Sequence, residues 1–243
     1  MTITEISDLI TDKLGRQDTQ STTICKSFLK RRYKMIWDST LWLESLGVCE
    51  ESVSSGTPEV TISSDPSVFY SPKATTVAST APRVELPVAI RFEKTGESSG
   101  IEITPSNWWS HFQIDPQKLI NDSDSQGTPE NFIHIAKSAT GYSRIKLVPS
   151  PDTAGTVMVM GKLAWAEPED SDSPIIHGID NILLAYGEGD MLERGRKYAK
   201  AQVKFQEAGA LLSAAREAQR NQFASETVII PVAFENSRTI LDF

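Results

Sequence analysis

The sequence predicts an α+β protein. Helices from both ends of the chain form a bundle, an antiparallel β-sandwich or barrel-like domain is inserted between them, and an extended arm ends the chain. Three observations predict this. Apolar residues recur at helical period in 1–48 and again in 168–224. The intervening 49–167 is rich in Gly, Pro, Ser and Thr and carries short alternating runs. The final 225–243 breaks helical period while staying apolar.

The first helix is expected over Ile3–Leu14. Thr2 and Glu5 have capping-box spacing, Gly15 can stop the helix, and Ile3, Ile6, Ile10 and Leu14 make one stripe. The second is expected over Thr22–Ser45, with Ser21 as cap and Gly47 as stop. Ile24, Phe28, Met35 and Trp42 form one stripe, and Cys25, Leu29, Ile36 and Leu43 lie beside it. That face is broad enough to meet more than one neighbour. Lys26, Lys30, Arg31, Arg32 and Lys34 cluster in its first half.

In the middle region, Val84, Leu86, Val88, Ile90 and Phe92 fall on alternate positions, the mark of a strand with one buried face. Pro87 within it argues for an edge position or a bulge. Further strands are expected at Val60–Ile62, Val68–Tyr70, Thr75–Val77, Ile101–Thr104, Phe132–Ala136, Arg144–Val148 and Thr156–Trp165. A short helix is expected within 105–119, carrying Trp108, Trp109 and Phe112, and 121–130 reads as a polar loop.

After the acidic linker Glu167–Asp172, Ser173 and Pro174 suit the start of a helix that carries Ile175, Ile176, Ile179, Ile182, Leu183 and Tyr186. Gly187 and Gly189 read as a bend within it. The last helix is expected over Met191–Gln222. Met191, Tyr198, Phe205 and Leu212 recur every seven residues, with Ala201, Ala208 and Ala215 three positions after the last three. Large and small residues thus line a helix–helix seam that a close partner can fill, in a bundle or between subunits. Glu193 and Lys197 have i,i+4 spacing on its polar side. In the tail, Val228, Ile229, Ile230 and Phe234 surround Pro231, and Ile240, Leu241 and Phe243 end the chain. Such a segment calls for a surface to lie on.

The composition excludes several classes of function. The net charge is -8, against the basic character that phosphate binding demands. The two cysteines, Cys25 and Cys49, make neither a CxxC pair nor a metal-ligand spacing, and read as reduced packing residues. No secretory leader is read at the N-terminus, and Asn121–Ser123 is taken as a chance sequon. No apolar run approaches the ~20 residues of a membrane span, so no membrane association is expected. No internal repeat is visible.

No motif carries chemistry. His111, His134 and His177 are scattered, and no nucleophile elbow occurs. Gly161 and Lys162 are followed by Leu163 within a strand, so they make no phosphate loop. Gly187, Glu188 and Gly189 follow no strand, so they make no dinucleotide fingerprint. Asp122 and Asp124 do not continue into a calcium loop. No catalytic residue, metal or cofactor is expected. The candidate docking residues are Arg31 and Arg32, whose guanidinium groups suit carboxylates, together with Trp108 and Trp109, since aromatics concentrate in interfaces.

One order of features carries a family resemblance. A strand at Arg144–Val148 is followed by a turn with Pro149, Pro151, Asp152 and Gly155, then a strand through Met158 and Met160. An acidic linker, Pro174, Ile175 and Ile176 come next, then Leu184, Ala185 and Tyr186 with Asp190, Met191, Leu192 and Glu193 beyond. Near the start, Ile24 and Cys25 precede the run Arg32–Asp38. This arrangement resembles the head–tail connector adaptors of tailed double-stranded DNA bacteriophages, including the tail-tubular and head-completion type. The long β region departs from the smallest, all-helical members.

The resemblance implies a virion protein of the neck, made in the host cytoplasm. It would form a homo-oligomeric, twelve-membered ring matched to the portal protein and facing a tail, nozzle or tail-completion protein. Segment 225–243 would be the portal-binding arm, and DNA would pass through the lumen without specific binding during ejection. An acidic lumen would let it slide. Two other readings remain: another neck, tail-completion or baseplate component of the virion, or an enzyme with a carboxylate site in the β domain.

Overall fold

The computed structural model describes residues 1–64, 67–68, 83–97, 99–107, 109–110, 126–135 and 137–224. It is an α+β protein. Among the described residues it divides into two compact units, one made of 1–45 with 165–224 and the other of 46–164.

The first unit is helical. Helix α1 spans Ile3–Lys13 and opens on the expected capping box, with the Thr2 hydroxyl accepting from Glu5 N–H and the Glu5 carboxylate accepting from Thr2 N–H. It closes on a Schellman motif: Gly15 has φ +65°, its N–H donates to Asp12 C=O at 3.0 Å, and Arg16 N–H donates to Thr11 C=O at 2.8 Å.

Helix α2 spans Thr19–Ser39, earlier at both ends than the pattern predicts. Asp18, not Ser21, is the cap, and its carboxylate accepts from Ser21 N–H at 2.8 Å. At the other end the Ile36 carbonyl is satisfied by the Ser39 hydroxyl (2.6 Å) and the Trp42 indole N–H (2.8 Å). Thr40 is then extended (φ -160°, ψ 174°), and a 3-10 turn follows at Leu43–Ser45. Trp42 is therefore a buried plug beyond the helix end, not a member of its stripe.

Helix α3 spans Asp180–Arg194. The expected start at Ser173–Pro174 does not form: Gly178 adopts φ +75°, which turns the chain before helical bonding begins. Helix α4 spans Tyr198–Ala224. The break between α3 and α4 lies at 195–197, where a second Schellman motif has Arg196 at φ 58°, with Arg196 N–H on Glu193 C=O (2.8 Å) and Lys197 N–H on Leu192 C=O (2.9 Å). Met191 and Tyr198 consequently belong to different helices, and so do not Glu193 and Lys197 share one. Helix α1 contacts α2 and α3, α2 contacts α3, and α4 packs along α3. Ile3, Ile6, Ile10, Leu29, Ile36, Ile182 and Leu183 fill the shared core. Each such burial contributes about 1.5–3 kcal/mol.

The second unit is a sheet. Its strands are β1 (Leu46–Val53), β2 (Glu59–Thr61), β3 (Ser67–Val68), β4 (Val84–Lys94), β5 (Ile101–Ser106), β6 (Gln126–Gly127), β7 (Asn131–Ile135), β8 (Arg144–Val148), β9 (Ser150–Pro151) and β10 (Gly155–Leu163). Eight of them run in the order β2-β8-β7-β5-β4-β10-β1-β3, and β6 pairs with β9 separately. Strand β1 also touches β2, so the sheet curls into a nearly closed barrel. At that seam the buried Glu51 carboxylate of β1 accepts from the N–H groups of Ser63 and Ser64 just past β2, which satisfies donors that an open edge would leave unpaired.

The pairing is not wholly antiparallel as predicted: β5 and β7 run parallel, joined through 107–130, a segment long enough for the crossover that parallel strands need. Pro87 lies in a central strand, and the register slips opposite it, between Met160 and Gly161. The bulge reading is therefore the right one. A Cβ on Gly161 would sit 2.4 Å from the Leu86 carbonyl oxygen, so only glycine fits this close approach. Strand β1 was not foreseen. The expected strand at Thr75–Val77, most of the expected helix in 105–119 and the arm 225–243 lie outside the described residues.

Candidate functional site

The basic residues that the sequence singles out lie on α2 in the helical unit. One face of α2 is core: Cys25, Leu29, Tyr33, Ile36 and Trp37 are buried. Burial pushes the Cys25 thiol up to about 11 and the Tyr33 phenol to about 12. The Tyr33 hydroxyl accepts from Ile175 N–H at 2.9 Å, and the ring packs edge-on against Trp37 and Trp165, with centroids at 6.4 and 5.0 Å.

Arg32 turns inward rather than to a partner. Its Nε and Nη2 donate to the Asp190 carboxylate at 2.8 and 2.6 Å, and its guanidinium lies over the rings of Tyr186 (4.8 Å) and Phe205 (5.1 Å). Asp190 is only 5% exposed, and the hydrogen bonds to it raise the pKa of Arg32 further. A bidentate pair flanked by aromatic faces is the geometry for which arginine exceeds lysine. Two positions earlier on α3, the buried Glu188 carboxylate meets Lys13 of α1 and, at 3.2 Å, Lys204 of α4. Thus α3 ties α1, α2 and α4 through two buried acids. Gly187 and Gly189 make room for this contact. A Cβ on Gly187 would fall 2.5 Å from Ile10 Cδ1, and one on Gly189 would fall 2.5 Å from the Phe205 ring. These glycines are close-packing positions in an unbroken helix, not a bend.

The other charges of α2 line an open groove of about 420 Å³, with Thr23, Ser27, Lys26, Lys30, Arg31 and Lys34 along one wall and Trp165, Glu167 and Asp170 along the other. The acidic linker lies against the basic cluster: Asp170 bridges Lys30 (2.9 Å) and Lys26 (3.1 Å), and Glu167 stands 3.8 Å from Lys30. Hydrogen bonds from Lys30 and then Lys26 hold the Asp170 carboxyl below its ordinary pKa, and the same bond holds Lys30 above its own. Lys34 pairs with Asp38 at 2.9 Å and reaches over Trp165. Arg31 is exposed, 5.9 Å from the Phe28 ring centroid.

The α4 seam lies against α3. Ala201, Ala208 and Leu212 are buried, Phe205 and Ala215 are half-buried, and Tyr198 is 62% exposed. Farther along, Arg216 reaches the Ser39 hydroxyl (3.3 Å) and Gln219 accepts from Leu43 N–H (3.3 Å). The structure therefore brings Arg32 and Phe205 together and separates both from Arg31. Trp109 is exposed in the sheet unit, while Trp108 and the arm residues Val228, Ile229, Ile230, Phe234, Ile240, Leu241 and Phe243 lie outside the described residues. Asp190, Glu188 and Trp165 were missed by the sequence reading. The signal for the two acids was present: charged residues within the apolar helix 182–192 need partners.

Among the described residues, no group of three or more His, Cys, Asp or Glu side chains is placed to hold a metal ion, and no helix is long and apolar enough to cross a membrane. No family model and no curated protein matches the chain.

Proposed function

We propose that the protein is a structural adaptor of the bacteriophage neck, a ring subunit that joins the portal to the tail and leaves a channel for DNA. The observation that carries the reading is the discontinuous helical unit: residues 1–45 and 165–224 build one compact body, and a β-rich segment is inserted between them. That is the plan implied by the resemblance to head–tail connector adaptors. The buried ties of α3 support it. A body made from two separate stretches of the chain and cross-linked by Arg32–Asp190 and Lys13–Glu188–Lys204 is suited to bearing load. The net charge of -8 suits a channel that DNA traverses without sticking.

In this reading the helices form the bundle of the ring subunit, and the barrel-like sheet meets the tail, nozzle or tail-completion protein. Residues 225–243 form the portal-binding arm, and the subunits make a twelve-membered homo-oligomeric ring in the virion. The test is cosedimentation with the portal of the same phage. The full chain is expected to pellet with portal rings, and a chain ending at Ala224 is expected to stay in the supernatant with its helical content intact. Portal binding of the shortened chain at undiminished affinity would contradict the assignment of the arm.

A further inference from the structure

The outer face of α1 and the groove of α2 carry opposite charges at matched spacing. On α1, the side opposite the buried Ile3, Ile6 and Ile10 shows Glu5, Asp8, Leu9 and Asp12, all exposed. They stand at i, i+3, i+4 and i+7, so they form one stripe, with Leu9 half exposed in the middle of three acids. At 1.5 Å per residue, Glu5 to Asp12 spans about 10 Å and Lys26 to Lys34 about 12 Å. The groove presents Lys26, Lys30, Arg31 and Lys34 beside the half-buried Trp165.

Its affinity for carboxylates is already visible within the chain, where Asp170 sits on Lys26 and Lys30. That linker leaves cationic capacity unused. Among the described residues Arg31 bridges no carboxylate, and no ion pair joins the α1 stripe to the α2 cations of the same chain.

We infer that the acidic stripe of α1 docks into the α2 groove of a second copy of this chain, with Leu9 against Trp165 and Asp8 and Asp12 facing Arg31 and its neighbouring lysines. The two patches differ, so a copy can offer its stripe to one neighbour and its groove to another; we take the contact as head-to-tail, as a ring requires, since the same patches paired reciprocally between two copies would stop at a twofold dimer. Exposed ion pairs are individually weak and screened by salt. The charges therefore set register and encounter rate, and the apolar knob and aromatic wall exclude water. The inference deepens the adaptor reading and rests on it for the ring that this contact would build.

The test is disulfide trapping in the full chain. Cys25 and Cys49 are buried and do not compete. The double variant Leu9→Cys, Ser27→Cys, oxidised at low salt alone and with portal present, is expected to give a ladder of multimers joined by 9–27 linkages. A Leu9→Cys, Ser213→Cys control is expected to give none. Adding Asp8→Lys and Asp12→Lys to Leu9→Cys should cut the 9–27 yield to a Ser27→Cys partner at least tenfold. Arg31→Glu in that partner should restore it, with all variants keeping the native circular dichroism.

Absence of 9–27 linkage with and without portal, or linkage confined to 9–9 and 27–27, overturns the inference. Portal-bound rings without 9–27 linkage would remove this contact and leave the adaptor role standing. A ladder that never binds portal would leave the contact and remove the role.

Discussion

Arg32 shows how a residue picked for one reason serves another. Within a basic run, a guanidinium is a reasonable candidate for docking, because the sequence cannot say which of five neighbouring cations turns inward. Helical phase decides it: Arg32 follows Leu29 by three and precedes Ile36 by four, both buried, so its stem is drawn toward the core, whereas Arg31 is rotated toward solvent. Once inside, it needs a carboxylate, and Asp190 supplies one. Arg32→Ala strands that buried carboxylate and is expected to destabilise the helical unit by about 3–5 kcal/mol. Replacing both partners by Met and Leu should cost far less, because no charge is left uncompensated. Urea denaturation of the two variants checks this. Equal losses would mean that the pair contributes only packing.

At the scale of elements, the helix ends divide into those marked by residue type and those marked by geometry. The close of α1 was legible because glycine occupies its left-handed position. The same motif closes α3, but Arg196 holds that position, at a cost of about 1–2 kcal/mol for a residue with a Cβ, and a seven-residue repeat ran straight across it. The repeat itself is real from Ala201 to Leu212, where it describes the packing of α4 on α3. It was silent about Gly189, whose lack of a side chain admits Phe205. Gly189→Ala is expected to cost about 1–3 kcal/mol by overpacking. Gly209→Ala, with nothing within 4 Å of the added carbon, should stabilise α4 by about 0.5–1 kcal/mol. Thermal melts of the two variants should move in opposite directions. A melt of Gly189→Ala that matches the parent would show that α4 tolerates displacement and that the seam is loose.

At the scale of the whole molecule, the order helices–strands–helices was legible because the apolar period changes from 3.6 to 2 and back. The strand order was not, since β1, β4 and β10 are brought together by pairings distant in sequence. Nor was the parallel β5–β7 pair, because alternation fixes which face is buried but not which neighbour is paired. The groove was half legible: the basic run and the acidic linker were each visible, and only the fold shows that they meet, with Arg31 left outward.

The proposed ring subunit rests on a helical body built from two separate stretches of the chain, 1–45 and 165–224, with oppositely charged faces on adjacent helices. Electron microscopy of the purified chain mixed with a candidate portal protein tests that proposal most directly. The expected image is an added ring, coaxial with the portal and matching its subunit number, with an open channel. A protein that stays monomeric and leaves the portal bare at saturating concentration would contradict it.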